Sequence, residues 1–250
     1  MQLSHMTWPE VDLALKSGIC AILPMGSIEQ HGPMGLIGTD AICAAEVAAQ
    51  AADLVQAIVA PTISYTPAPF NTSFAGTISI TAELTAQLVH QVCAGLLDQG
   101  FLGVFIVNGH GANLDPIEMA KQSLPKDSVE VESWWAPPAV NTLRQTFYGD
   151  WEGMHATPSE VAITQALHGA KPEGDASTPP KQLSAEFIRA HGGDKHGPPD
   201  AHRKMFPDGR VGSHSALATP AHGSELLETA SRAIAESFQQ FTLNRREQAS

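Results

Sequence analysis

Two short apolar runs, Ile19 to Leu23 and Gly103 to Val107, limit the possible folds more than any other feature, because each runs into a glycine-containing polar segment. Five residues are too few for a buried helix. Apolar on both faces, such a run needs cover on both sides, which describes a strand of a parallel sheet clothed by helices. Val129 to Trp135 and Ala57 to Ile63 read as further strands, and Pro61 hints that the second is an edge or a bulge. Helical patterns lie between them. An alanine-rich stretch runs from Ala41 to Val55. Thr81 caps a helix through about Gln99, with Leu84, Leu88, Val92, Leu96 and Leu97 on one stripe and Gly100 as its stop. A helix over Val161 to Leu167 begins at Thr157-Pro-Ser-Glu160, and a short one is expected over Ser184 to Ala190. Thr219-Pro220 opens the last, whose core stripe is Leu226, Leu227, Ala230, Ile234, Phe238 and Phe241. Tyr65 to Gly76 and Gly169 to Pro180 carry too much proline and glycine for regular structure. The alternation predicts an α/β fold with an open, mostly parallel sheet whose working residues lie at its carboxyl edge.

The chain has 250 residues, 43% of them hydrophobic, enough for one substantial core, so a single domain over 1–250 is expected. A net charge of −12, with no basic cluster longer than Arg245-Arg246, argues against nucleic acid or an anionic membrane as partner and favours a small neutral or cationic ligand. Cys20, Cys43 and Cys93 include no Cys-x-x-Cys spacing, which speaks against a disulfide framework or a thiolate zinc site. With no signal-like N-terminal pattern and no apolar run of membrane length, a cytoplasmic setting is expected.

Chemistry concentrates in three segments. In Glu29-Gln30-His31, side chains two apart on extended backbone face the same way, so Glu29 and His31 reach one pocket, and a turn brings Asp40 round to the head of the next helix. Two acids and an imidazole suit a hard or borderline divalent ion. Asn108-Gly-His110-Gly-Ala-Asn113 follows a strand and offers a further nitrogen; it has the spacing of neither a dinucleotide fingerprint nor a P-loop. His155 and Glu160 form the third group. Each has a structural alternative: Asp40 as helix cap, His110 and His155 as hydrogen-bonded loop histidines, and Glu160 as partner of Thr157 in a capping box. His191, His196 and His202 read as solvated loop residues, and Trp134, Trp135 and Trp151 as either pocket walls or interface residues.

These segments resemble the creatininase (creatinine amidohydrolase) family. Its patterns, Glu-Gln-His-Gly-Pro-His-Leu-Pro-Leu-x-Thr-Asp, Asn-Gly-His-Gly-Gly-Asn and His-Ala-Gly-Glu-x-Glu-Thr-Ser, are matched here by Glu29 to Asp40, Asn108 to Asn113 and His155 to Ala162. Met34-Gly35-Leu36, Ala112 and Thr157-Pro158 depart from them. The resemblance implies a three-layer α/β/α sandwich, often hexameric, with two divalent ions. One would be held by Glu29, Asp40 and His110 and the other by His31, Asp40 and Glu160. Zinc, manganese or magnesium suits such ligands, a water shared by the ions would attack an amide carbonyl, and His155 would pass a proton to the leaving nitrogen. Cleavage of a small or cyclic amide is therefore expected. A lactone hydrolase, or a silent ligand-binding relative, is the alternative.

Overall fold

The computed structural model describes residues 1–192 and 196–249. Its centre is a parallel sheet ordered β2-β1-β3-β4, built from β1 (Ala21–Met25), β2 (Ile58–Val59), β3 (Val104–Asn108) and β4 (Val129–Ser133). The helices are α1 (Trp8–Leu15), α2 (Thr39–Val55), α3 (Ala82–Asp98), α4 (Leu114–Lys121), α5 (Pro138–Tyr148), α6 (Pro158–His168), α7 (Ala185–Ala190), α8 (Pro199–Met205) and α9 (Pro220–Ala249).

Alternation along the strands explains the layers. Ile22, Phe105 and Val107 face a core shared with Cys43, Val47 and Ala48 of α2, Ile163 of α6 and Leu226, Ile234 and Phe238 of α9. Leu23, Met25, Val104 and Ile106 face the opposite core, with Val89 and Cys93 of α3 and Ile117 of α4. The expected α/β/α layering is therefore present. The α9 stripe is buried as its periodicity predicts.

The differences from the sequence reading have local causes. The second strand shrinks to Ile58–Val59 at the sheet edge. Pro61 lacks the donor to continue a ladder, and Ile63 returns only as an isolated bridge to Met25. The first strand instead extends through Pro24. The Pro24 carbonyl accepts from Ile63 N on the side where β2 has already ended, so the missing Pro24 donor costs no ladder bond. On α3 the inward face belongs to Thr85, Ala86, Val89 and Cys93, while Leu84 and Leu88 are exposed. Helices α1, α4, α5 and α8 are not anticipated from the sequence; α1, α4 and α8 are no longer than eight residues.

Because β1 is followed by α2 on one face and β2 by α3 on the other, the chain reverses direction between β1 and β3, and a crevice opens at their carboxyl ends. Two glycines let α2 close this crevice. A Cβ on Gly26 would lie 2.3 Å from Ala41 N, and one on Gly109 would lie 2.3 Å from the Asp40 carbonyl oxygen. Both strand ends therefore abut the first turn of α2, which sets Asp40 between them.

Candidate metal centre

Asp40 is not a helix cap. Gly38 occupies the cap position of α2 with no side-chain bond, and Asp40, in the first turn, aims its two oxygens at different imidazoles. Oδ1 lies 2.9 Å from His31 Nε2, and Oδ2 lies 3.1 Å from His110 Nδ1. Glu29 Oε1 stands 3.0 Å from the same His110 nitrogen, and Glu160 Oε1 stands 3.9 Å from His31 Nε2. The sequence-chosen residues thus gather into two triads, Glu29 with Asp40 and His110, and His31 with Asp40 and Glu160. Glu29, His31 and His155 make a third possible grouping. All are buried except Glu160, whose side chain is 12% exposed.

The surroundings decide which atoms face inward. His31 Nδ1 lies 3.1 Å from the Glu29 carbonyl and His110 Nε2 lies 2.7 Å from the Pro67 carbonyl. A carbonyl only accepts, so each of these nitrogens donates, and His31 Nε2 and His110 Nδ1 are the ones turned to the carboxylates. In the same way His155 Nε2 donates to the Gln30 carbonyl at 2.7 Å, and its Nδ1 lies 3.8 Å from Glu29 Oε1. Glu29 Oε1 and Asp40 Oδ2, both fully buried, converge on the single nitrogen His110 Nδ1, which can donate to them only when the ring is protonated, since Nε2 already serves the Pro67 carbonyl. Carboxylate oxygens and imidazole nitrogens converging without a built-in donor are the arrangement a cation would satisfy, and oxygen plus imidazole without thiolate is a donor set for zinc or manganese.

Electrostatics agrees. Burial disfavours the His31 imidazolium, but Asp40, then Glu160 and Glu29, outweigh it and lift its pKa to about 10. His110 is raised in the same way by Glu29 and Asp40 against the cost of burial. Burial pushes Glu160 up to about 7, with His31 opposing, and it also raises Glu29, while His31 and His110 hold Asp40 well below the usual carboxylate range in spite of burial. Positive charge is what this cluster lacks, and protons supply it wherever no metal does.

Glu160 makes the capping contact and also faces the cluster. Its Oε1 accepts from Thr157 N at 2.5 Å while Thr157 Oγ1 accepts from Glu160 N, completing the capping box of α6, and that same oxygen faces His31. The adjoining Ala156 adopts the left-handed region, φ 56°, and is fully buried. This backbone, strained for a non-glycine residue, turns His155 towards the cluster just before the helix begins.

Several contributors carried little sequence signal. Asn71, read only as a loop residue, donates to Glu29 Oε2 at 2.8 Å and accepts from Gln30 Nε2 at 2.8 Å, tying the Glu29 segment to the loop before α3. Asn108 and Asn113 act on backbone: Asn108 Oδ1 accepts from His110 N and from Asn113 Nδ2, and Asn113 also holds the Gly26 carbonyl. Two of the three histidines expected to be solvated are not: His196 and His202 are buried, their rings tilted or edge-on against Phe70, with His191, itself half-buried, stacked beside His196 and Phe206 beside His202. An aromatic wall behind Asn71 outweighs the polar composition of that segment. Trp134 and Trp135 line the cavity over the cluster, and Trp151 packs on His214.

A parallel α/β chain with a buried carboxylate and imidazole cluster at its switch point defines a class of protein, and the comparisons with known proteins narrow it. The family model described as creatinine amidohydrolase matches residues 4–238; the chain belongs to the creatininase family, whose members are hydrolases acting on carbon–nitrogen bonds. The creatinine amidohydrolase of Pseudomonas putida is 24% identical over 183 residues, 66% of this chain and 70% of that one. A mycofactocin precursor peptide peptidase of Mycobacterium ulcerans is 32% identical over 127 residues, 47% of this chain and 46% of that one. A crystal structure of creatinine amidohydrolase superimposes with a TM-score of 0.75 at 20% identity, covering 96% of each chain. Creatininase structures titled as manganese and Zn-Zn forms each superimpose with a TM-score of 0.73, the first at 20% and the second at 21% identity, covering 96% of this chain and 97% of theirs.

Proposed function

We propose that this chain is a divalent-metal-dependent amidohydrolase that cleaves a carbon–nitrogen bond of a small amide or cyclic amide. The observation that carries the reading is the division of Asp40, one oxygen in each triad, which is how a single carboxylate serves two ions at once. Glu29, Asp40 and His110 would hold one ion and His31, Asp40 and Glu160 the other. When bound, zinc or manganese would supply Lewis acidity towards a carbonyl and would lower the pKa of a water.

The remaining work falls to the chain. A cavity of about 180 Å³ reaches Asp40, His110, His155 and Glu160, with Trp134 and Trp135 as walls. It is smaller than the roughly 300–1,000 Å³ of drug-sized ligand sites, so the reacting part of the substrate is small. His155, held by the Gln30 carbonyl through Nε2, presents Nδ1 to take a proton and return it to the departing nitrogen. That service matters for an amine leaving group more than for an alkoxide, which favours an amide over a lactone.

Glu160→Gln tests the assignment. Glutamine still completes the capping box, so α6 persists, but it removes the charged ligand. Elemental analysis is expected to find one ion fewer per chain and amide hydrolysis to fall at least about 100-fold, on the scale of an electrostatic contact made in the transition state. Full metal content would return Glu160 to a purely capping role.

A further inference from the structure

Among the described residues, Arg144 is the sole lysine or arginine lining the cavity that contains Asp40, His110, His155 and Glu160, and the chemistry described so far makes no use of it. It extends from α5 with its side chain 16% exposed. Its Nε donates to Glu152 Oε1 at 2.8 Å and its Nη1 to Asn141 Oδ1 at 3.0 Å, while Nη2 meets no protein acceptor. Glu152 is itself buried and accepts from Ser159 Oγ in the first turn of α6, so the guanidinium plane is anchored on the same helix start that positions Glu160. An arginine serving only as a structural ion pair would spend its fork on protein. Here Glu152 takes the Nε edge, and the outer edge carries a donor with no protein acceptor.

We propose that Arg144 anchors a carboxylate of the substrate, so that the amide cleaved here belongs to a carboxylate-bearing molecule such as an N-acyl amino acid. This rests on the hydrolase reading and deepens it. Nη1 carries a second hydrogen besides the one given to Asn141, so with Nη2 the outer edge still offers two donors to the two oxygens of a carboxylate, and among the described residues no second lysine or arginine lines the cavity to balance the further charge of a phosphate. Arg144 and Gly153 also line an adjoining cavity of about 390 Å³, bounded by Leu183 and Ile188, which gives room for a side chain next to the anchored carboxylate. Arg144 is thus a specificity residue, separate from the proton transfer assigned to His155.

The test compares N-acetylglycine with N-acetylglycinamide, which differ only in that carboxylate, as ligands and substrates of the metal-loaded protein. Calorimetry is expected to show at least about tenfold tighter binding of the acid, equivalent to about 1.4 kcal/mol. Arg144→Met combined with Glu152→Gln removes the pair without leaving a buried charge, and is expected to abolish the preference while metal content stays unchanged. Should that double variant lose metal or fail to fold, Arg144→Lys decides: a KM for the acid raised several-fold with the amide unaffected supports the anchor, and an unchanged ratio overturns it. Equal affinity for the two probes in the unmodified chain also overturns it, as does a preference that survives in full in the double variant, because the ions themselves would then hold the carboxylate. Arg144-dependent preference without hydrolysis of either probe would sink the hydrolase reading and spare the anchor; hydrolysis of both at equal kcat/KM would do the reverse.

Discussion

Replacing Asp40 with alanine is expected to strip the protein of both ions and reduce amide hydrolysis to background while the fold persists. Among the described residues Asp40 alone belongs to both triads, its two oxygens lying 2.9 and 3.1 Å from different imidazoles. The loss therefore does not stop at one ion, as it should for Glu160→Gln. The ion-free variant also loses the buried acceptor of His31 and His110. The cost to stability stays below the roughly 3–5 kcal/mol of a broken buried ion pair, because a histidine deprived of its carboxylate sheds its proton. Elemental analysis and a thermal melt check both halves of the prediction. Retention of even one tightly held ion would show that the triads do not share Asp40.

His155→Gln is expected to leave both ions in place and lower kcat by about 10²- to 10⁴-fold, the usual contribution of a positioned acid or base. Glutamine still offers a donor to the Gln30 carbonyl but has no basic nitrogen to carry a proton. The loss should shrink on an activated anilide, whose amine departs with less need of protonation, and full rates on an unactivated amide would remove His155 from the reaction. A drop in metal content would instead place His155 in the third grouping, as a ligand beside Glu29 and His31.

Much of this was legible in the sequence because the site is local to strand ends. Glu29, His31 and Asp40 fall within the fifteen residues after β1, and His110 follows β3 by two, so the strand pattern and the ligand pattern reinforce one another. Glu160 was legible twice, as cap and as candidate ligand, and these readings competed on paper although the oxygen that closes the capping box also faces His31. What escaped was whatever depends on tertiary approach. Gly26 and Gly109 give way to the backbone of α2, a close approach that nothing in the local sequence announces. Only folding shows that Asn71 bonds Glu29 and that Arg144 lines the cavity over the cluster. Leu84 and Leu88 misled for the opposite reason: α3 carries more apolar residues than its buried face accommodates, and periodicity alone does not say which stripe turns inward.

The most direct measurement is the number of divalent ions per chain, by elemental analysis of protein purified without chelator or affinity metal and then titrated with zinc and with manganese. The account predicts saturation at two equivalents, with both lost in Asp40→Ala. Saturation at one equivalent, or no binding at all, would contradict the paired centre on which the proposed chemistry depends.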